Sequence, residues 1–554
     1  MPPVIAEGVV REGAERAPEG SSNRVAITWS SARITAPRYP RPSERVPPCE
    51  PPHLRRPAVS QRRRAIALIV APLALLVSLL TWGVSSPQGS SPDEHYHLAS
   101  IWCADGIVPG VCEQGSAPQY RSVRADIAEA SLCFRRHPDQ SAACVVDDAR
   151  MVETDQANWA GEAYPPVFYS VMRMFIVPDD VGLSVLILRS LNAVLYVGLL
   201  TALFFLLPRR LRPPMIWGAA LTIVPLGAFL IPSINPSTWA ILSATGLWVA
   251  TWGYFVERRL TRRILLGALA VTFLVMGAGA RSDAAVYGVL AMIVGTVLGF
   301  ERSRRFLLSA ILPVALTAVA VAFFFTSGQS AIVSASTAST DAPLALHQLA
   351  FLDLKLLPEL WAGVFGTWGL GWLDTTMPGS VWVTTIAMFS AVCFWALRRG
   401  DVRKWIVTTG VAASLVVVPM FILLHDGVIV GQYVQPRYIY PLIILFAGVV
   451  VIGFQRPGLG LNRTQLLVVA AGLTVANSVA LHVNLRRYVT GVDVPGFNLD
   501  LAVEWWWNAP ITPLGVWALG TVATAVLAGI LVRAAWSARE DAEAIQASSV
   551  VPRA

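Results

Sequence analysis

Asp93, Glu94, His95 and His97 fall within five positions, in the stretch Ser91–Gly106 that follows the first long apolar run. A carboxylate at that place can take the proton from a hydroxyl group within hydrogen-bond reach, which is the work of a general base. Asp93 is the first choice for it and Glu94 the alternative. The residues establish no cofactor. Two adjacent carboxylates are compatible with a divalent cation, with Asp353, Glu359 and Asp374 as candidate further ligands. His95 and His97 stand two apart, so on a helix they do not share a face and make a poor zinc pair. His97 follows Asp93 by four and does share its face, where it can orient the carboxylate or touch a phosphate. The plainer reading is a helix start at Ser91-Pro92-Asp93-Glu94, with acid in the first turn.

Arg437 is the second feature. It opens an apolar run from the outer side, against the positive-inside pattern, and an arginine at headgroup level is suited to gripping a phosphate. Snorkelling to the interface is the plainer alternative. Arg281 and Asp283 sit in a very short polar turn between two apolar runs, as phosphate contact or as a mutual ion pair. Tyr164-Pro165-Pro166 leads into aromatic residues, either the wall of an acceptor site or an ordinary proline-initiated interfacial helix. Glu504-Trp505-Trp506-Trp507 offers sugar stacking or membrane anchoring.

The elements that must position these residues are membrane spans. The chain has 554 residues, 55% hydrophobic and only 14% charged, with mean hydropathy +0.56. This excludes a large soluble core and describes an all-α polytopic protein. Spans are expected at Ala65–Val84, Leu183–Leu207, Met215–Ile231, Trp239–Val256, Ile264–Ala280, Ala284–Phe300, Phe306–Thr326, Val381–Leu397, Trp405–Leu424, Tyr438–Phe454, Gln465–Val483 and Pro513–Val532. These are about twelve, each near the ~20 residues a bilayer requires.

Arg62-Arg63-Arg64 precedes the first span, and every even-numbered span exits into a basic segment, from Arg209-Arg210 to Arg533. By the positive-inside rule both termini face the cytoplasm of a cytoplasmic-membrane protein. The net charge of +8 is therefore a topology signal and not a nucleic-acid footprint. Residues 1–61 read as a disordered tail, 62–533 as the transmembrane domain and 534–554 as a second tail. The outer face receives loop 85–182 and loop 327–380, the latter with helices lying in the interface. Cys103, Cys112, Cys133 and Cys144 share the first of these loops. Four cysteines in one polar segment suit disulfides in an oxidising compartment, simplest as Cys103–Cys112 and Cys133–Cys144.

Several segments, in order, resemble the domain-of-unknown-function 2142 family of bacterial membrane proteins. They are Pro92-Asp93-Glu94-x-x-His97, Tyr164-Pro165-Pro166, Asn235-Pro236, Phe365-Gly366 with Gly369–Thr375, and Gln435-x-Arg437-Tyr438 with Pro441. The layout is similar to that of C-type glycosyltransferases, which use polyprenyl-phosphate sugars. That resemblance implies an inverting transfer with catalytic Asp93 or Glu94. It implies donor-phosphate contacts from Arg437, Arg281 and His97, and a pocket lined by Tyr164, Pro165, Gln435, Tyr438, Trp372 and Asp374. The implied partners are a polyprenyl-phosphate sugar and an envelope glycan or lipid acceptor, with no nucleic acid. The rival classes are a transporter or flippase of lipid-linked glycans, and a non-catalytic partner in envelope assembly.

Overall fold

The computed structural model describes residues 58–145, 147–161, 163–326, 328, 344–398, 400–432, 434–453 and 460–550. The expected disordered tail lies outside them, except for 58–61, which form the first turn of a helix. Everything below concerns Val59–Ala554, which forms one unit.

Helices of seven residues or more are numbered here in chain order. They are α1 Ala58–Gly83, α2 Glu94–Trp102, α3 Val167–Arg173, α4 Val181–Leu206, α5 Arg212–Thr222, α6 Ser237–Val256, α7 Leu260–Ala278 and α8 Ser282–Gly299. There follow α9 Arg304–Thr326, α10 Leu346–Ala362, α11 Gly379–Ala396, α12 Val402–Asp426, α13 Pro436–Val450, α14 Arg463–Val489 and α15 Pro513–Val550. Among the described residues, eleven helical stretches are long and apolar enough to cross a membrane. The expected span at Tyr438–Phe454 is the twelfth; its helix, α13, has only 15 residues. At 1.5 Å per residue it falls short of the ~30 Å hydrocarbon core. Nearly all of α13 is buried among its neighbours, so protein rather than lipid surrounds it. The helix α15 runs on through the expected tail to Val550.

The centre of the bundle is α6, which is buried on every side, as a helix apolar all round must be. Its hydroxyls do not break this rule: Thr245 and Thr251 each donate to the carbonyl four residues back, at 2.8 Å. α6 packs on α7, α8 and α13. Small residues set the approach: a Cβ added at Gly295 on α8 would lie 2.6 Å from the Trp248 carbonyl oxygen.

Two helices are broken. The stretch expected as the continuous span Met215–Ile231 leaves helical geometry at Val224 (φ −101°, ψ 134°), because Pro225 supplies no N–H to the turn before it. The freed Thr222 carbonyl accepts a hydrogen bond from Tyr440 Oη at 2.9 Å. The second break is at Gly363–Thr367, where Gly366 takes φ 105°, a conformation that glycine adopts without penalty. There Thr385 Oγ1 donates to the Phe365 carbonyl at 2.9 Å. The two breaks pack together: a Cβ on Gly366 would meet Pro225 Cγ at 3.1 Å.

The segment between α1 and α4 is more structured than expected. It carries an antiparallel sheet of β1 Glu113–Gln114, β2 Arg121–Arg124 and β3 Met151–Thr154, with Arg121 opposite Thr154 and Arg124 opposite Met151. Disulfides join Cys103 to Cys112 and Cys133 to Cys144. The second large loop supplies α10, which buries Leu349, Asp353, Leu357 and Leu360 and turns Phe351 and Leu354 outward. This is the one-sided helix its sequence calls for.

The close packing of α6 and α8 gives a direct test. Gly295→Val should overpack that interface and cost about 1–3 kcal/mol, seen as a lower melting temperature of the detergent-purified protein. Gly198→Val, where no atom lies within 4 Å of the added Cβ, should leave it unchanged.

Candidate functional site

The site is built where the chain leaves α1. Arg189, on α4, reaches back and holds that exit. Its Nη1 donates to the carbonyls of Gly83 (2.9 Å) and Ser86 (2.6 Å). Its Nη2 donates to the Pro87 carbonyl (2.7 Å), to Ser90 Oγ (3.1 Å) and to both Glu94 oxygens at 3.0 Å. Glu94 also accepts from the Ser91 amide at 3.0 Å. The pair is fully enclosed, with side-chain exposures of 3% and 0%. Glu94, the alternative base in the sequence reading, is thus bound in place to fold residues 83–94. It points away from its neighbour Asp93.

The next contact comes from Asn235. Its Nδ2 donates to the Pro92 carbonyl at 2.8 Å, and its Oδ1 accepts from the Ser237 amide at 2.9 Å, at the start of α6. Held on both sides, Asp93 takes left-handed backbone angles, φ 58° and ψ 21°. Aspartate tolerates this region better than most residues, and such outliers cluster at functional sites. Asp93 occupies the N-cap position of α2, yet its side chain makes no cap bond. The carboxylate turns instead to Arg437, whose Nη2 donates to Asp93 Oδ2 at 2.6 Å.

Arg437 does not snorkel into lipid. It is buried, as the second residue of α13, and Tyr438 Oη lies 3.1 Å from its Nη2. Its Nε and Nη1 are buried with no hydrogen-bond partner among the described residues. The Tyr438 ring lies between two guanidinium groups, Arg281 at 4.8 Å and Arg437 at 5.1 Å, close enough for both to be attracted to it. Arg281 also lies 5.8 Å from the Tyr164 ring. It is held bidentately by Asp283 (2.8 and 2.6 Å), so the ion-pair reading of that turn applies.

His97 and Tyr164 complete the cluster. His97 Nδ1 is 3.0 Å from Tyr169 Oη, and its ring meets the edge of Tyr164 at 5.4 Å. Tyr164 is positioned by Asn158, which accepts from its amide at 2.7 Å and donates to its carbonyl at 2.9 Å. Pro165 is buried beneath it. α3 then begins with the Val167 amide bonded to Gly279 of the Arg281 turn at 3.1 Å. That helix ends at Arg173.

Gln435, Pro436 and Arg437 line a small cavity with Pro92, Trp368 and Gly371. Its volume of about 20 Å³ gives room for roughly one water. Trp372 lies 5.5 Å from His95 and donates to the Gly89 carbonyl at 2.9 Å. Asp374 lies outside the cluster: it accepts from Arg487 Nη2 at 2.9 Å and from the Arg136 amide at 3.0 Å. Arg487 in turn caps the Phe134 and Gln140 carbonyls at 2.7 and 2.6 Å, so Asp374 braces the Cys133–Cys144 loop. Trp507, of the tryptophan run, donates to the Val84 carbonyl at 2.9 Å.

The charges in the cluster follow from these neighbours. Burial pushes the Asp93 carboxyl up, but the Arg437 guanidinium outweighs it and holds it below the ordinary carboxylate value. It is therefore ionised at neutral pH, and its side chain keeps 41% exposure. Burial pushes His97 down to about 3, and His95 down as well, so both imidazoles are neutral. Burial raises the phenols of Tyr96, Tyr164 and Tyr169, so they keep their protons. Among the described residues, no group of three or more His, Cys, Asp or Glu is arranged to hold a metal ion. Asp353 is engaged by the Val430 amide at 3.0 Å, on another loop.

Asp93, His97, Tyr164, Arg281, Arg437 and Tyr438 therefore meet, and Glu94 and Asp374 are tied elsewhere. Asn158, Tyr169 and Asn235 were not foreseen as supports. Fold and site define a polytopic membrane protein with an ionised carboxylate and a buried arginine where the helix ends meet the 84–180 segment. Residues 76–446 match the family described as predicted membrane protein, domain of unknown function 2142 (DUF2142), and the chain belongs to it. No curated protein matches the chain. The matched stretch contains the whole cluster and ends before Arg487.

Arg189→Met should leave Glu94 buried without its ion partner and cost about 3–5 kcal/mol. Arg189→Met/Glu94→Leu should recover the part due to the stranded carboxylate and not the part due to the Gly83, Ser86 and Pro87 carbonyls, which stay unpaired. Thermal unfolding in detergent reads both, and a double variant no better than the single would refute the pairing.

Proposed function

We propose that the protein is a membrane glycosyltransferase, moving a sugar from a polyprenyl-phosphate donor to an envelope acceptor on the outer face of the cytoplasmic membrane. The observation that carries this reading is the pairing of an ionised, solvent-reached carboxylate with a buried guanidinium that has two unpartnered N–H groups. The alternation of basic loops supports the orientation, with both termini in the cytoplasm.

In the reaction, Asp93 takes the proton of the acceptor hydroxyl as that oxygen attacks the anomeric carbon. The carbon–oxygen bond to the lipid phosphate breaks, and its electron pair leaves on the phosphate oxygen. Attack from the side opposite the leaving group inverts the anomeric centre. Arg437 meets the developing phosphate charge, where water is scarce and such contacts are strongest. Arg281, already satisfied by Asp283, acts by holding the Tyr438 and Tyr164 rings in place.

A second reading is favoured by the two broken helices that meet near Pro436. Discontinuous helices at a binding site are a hallmark of transporters of lipid-linked or charged cargo.

The separating experiment uses proteoliposomes, a radiolabelled polyprenyl-phosphate sugar and an envelope acceptor. A transferase yields a labelled acceptor, and Asp93→Asn should lower the rate by about 10²–10⁴-fold with expression unchanged. Label that crosses the bilayer without joining the acceptor would establish the transporter instead. The pH profile adds an independent check. The base works deprotonated and in the free enzyme its carboxyl is held below the usual ~4, so kcat/KM should stay flat from pH 8 to 5. A fall near 6.5 would assign the proton transfer to an ordinary histidine and remove Asp93.

A further inference from the structure

We propose that Asp93 and the donor phosphate are rivals for Arg437, so that the ion pair is the resting state and donor binding releases the base. This rests on the reading of a phosphate-bearing lipid as ligand.

Three observations lead to it. Arg437 is the only hydrogen-bond partner of the Asp93 side chain among the described residues. The carboxylate caps no helix end, so nothing else keeps it there. Second, the two partners differ in access. Asp93 keeps 41% of its side-chain exposure and Arg437 only 5%, so the carboxylate stands between the guanidinium and solvent. An anion coming from the open side meets it first. The cavity that Arg437 lines with Pro92 and Gln435 is far too small for a phosphate ester.

The third observation is the charge balance. Arg281 is neutralised by Asp283 through two hydrogen bonds. Arg437 is neutralised by Asp93, and the buried His97 is neutral. The cluster as it stands offers no surplus positive charge. A phosphodiester arriving there would face a carboxylate across a shared guanidinium, and like charges at that range repel. It binds well only if the carboxylate swings away. Arg437 then gives the phosphate Nη2 together with one of the unpartnered nitrogens, Nε or Nη1, in the two-pronged geometry arginine favours. The released carboxylate loses the partner that kept it acidic and becomes the better base, beside the sugar it must serve.

The experiment measures equilibrium binding of a short-chain isoprenyl phosphodiester, a monoanion at all working pH values, to the full-length protein in nanodiscs. Asp93→Asn removes the rival charge, and asparagine accepts φ 58° as readily as aspartate. It should bind the probe roughly three- to tenfold more tightly than the unaltered protein. Asp93→Gly, which also accepts that backbone, should move affinity in the same direction, and Arg437→Gln should abolish binding. If Arg437→Gln weakens binding but both Asp93 variants bind no more tightly than the unaltered protein, the rivalry is overturned and the donor reading stands. If no form of the protein binds the probe, the donor reading itself fails. Inorganic phosphate is the control, and equal affinity for it would overturn the lipid assignment.

Discussion

A single guanidinium fixes how the chain leaves its first membrane span. The end of α1 leaves carbonyls with no intrahelical partner, and the turn that follows adds more; none of them is in contact with water. Arg189 collects those of Gly83, Ser86 and Pro87, and its charge is balanced by Glu94. A buried ion pair is weak as a source of stability, because both charges were dehydrated to form it. Its value here is specificity: one side chain with several fixed donors admits one path for residues 83–94. Asp93 inherits its strained backbone and its outward carboxylate from that path.

The same constraint explains the middle of the bundle. In hydrocarbon, non-helical backbone persists only where protein satisfies it. The break at Val224 is closed by a phenol from α13 and the break at Gly366 by a threonine from α11. Both breaks press on the region where α13 begins, since a Cβ on Gly363 would strike the Pro436 ring. The short helix α13 therefore begins against these breaks, with Arg437 buried in its first turn. A buried guanidinium with idle donors is costly in isolation, and the surrounding helices determine that it stays.

Much of this was legible in the residues. The spans followed from hydropathy, and Arg437 stood out because it broke the alternation of basic loops. Of the three pairings open to four cysteines in one polar segment, the simplest, between nearest neighbours, is the one formed. Other features left no local signal. Strands of two and four residues, such as Glu113–Gln114 and Arg121–Arg124, are too short to show alternation. The break at Pro225 lay inside an unbroken apolar run, where averaging over a window hides it. Asp93 and Glu94 could be ranked only as first choice and alternative. What separates them is Arg189, 95 positions away, and no spacing rule reaches that far. Asp374 misled for the same reason: its motif is intact, but its partner Arg487 lies beyond the family's matched stretch and turns it into a brace.

The pocket presents a physical tension. A base needs its proton affinity, and an arginine at 2.6 Å takes that affinity away; a phosphate site needs positive charge, and a carboxylate on the same arginine cancels it. Each group in the resting pair suppresses the other's chemistry. Arg189 and Glu94, by contrast, are both enclosed. In the Asp93–Arg437 pair one partner is open to solvent and lacks any second bond, while the other is buried with unused donors. On the proposed reading it is the combination, an exposed carboxylate with one partner and a buried guanidinium with Nε and Nη1 both unused, that lets the pair be exchanged.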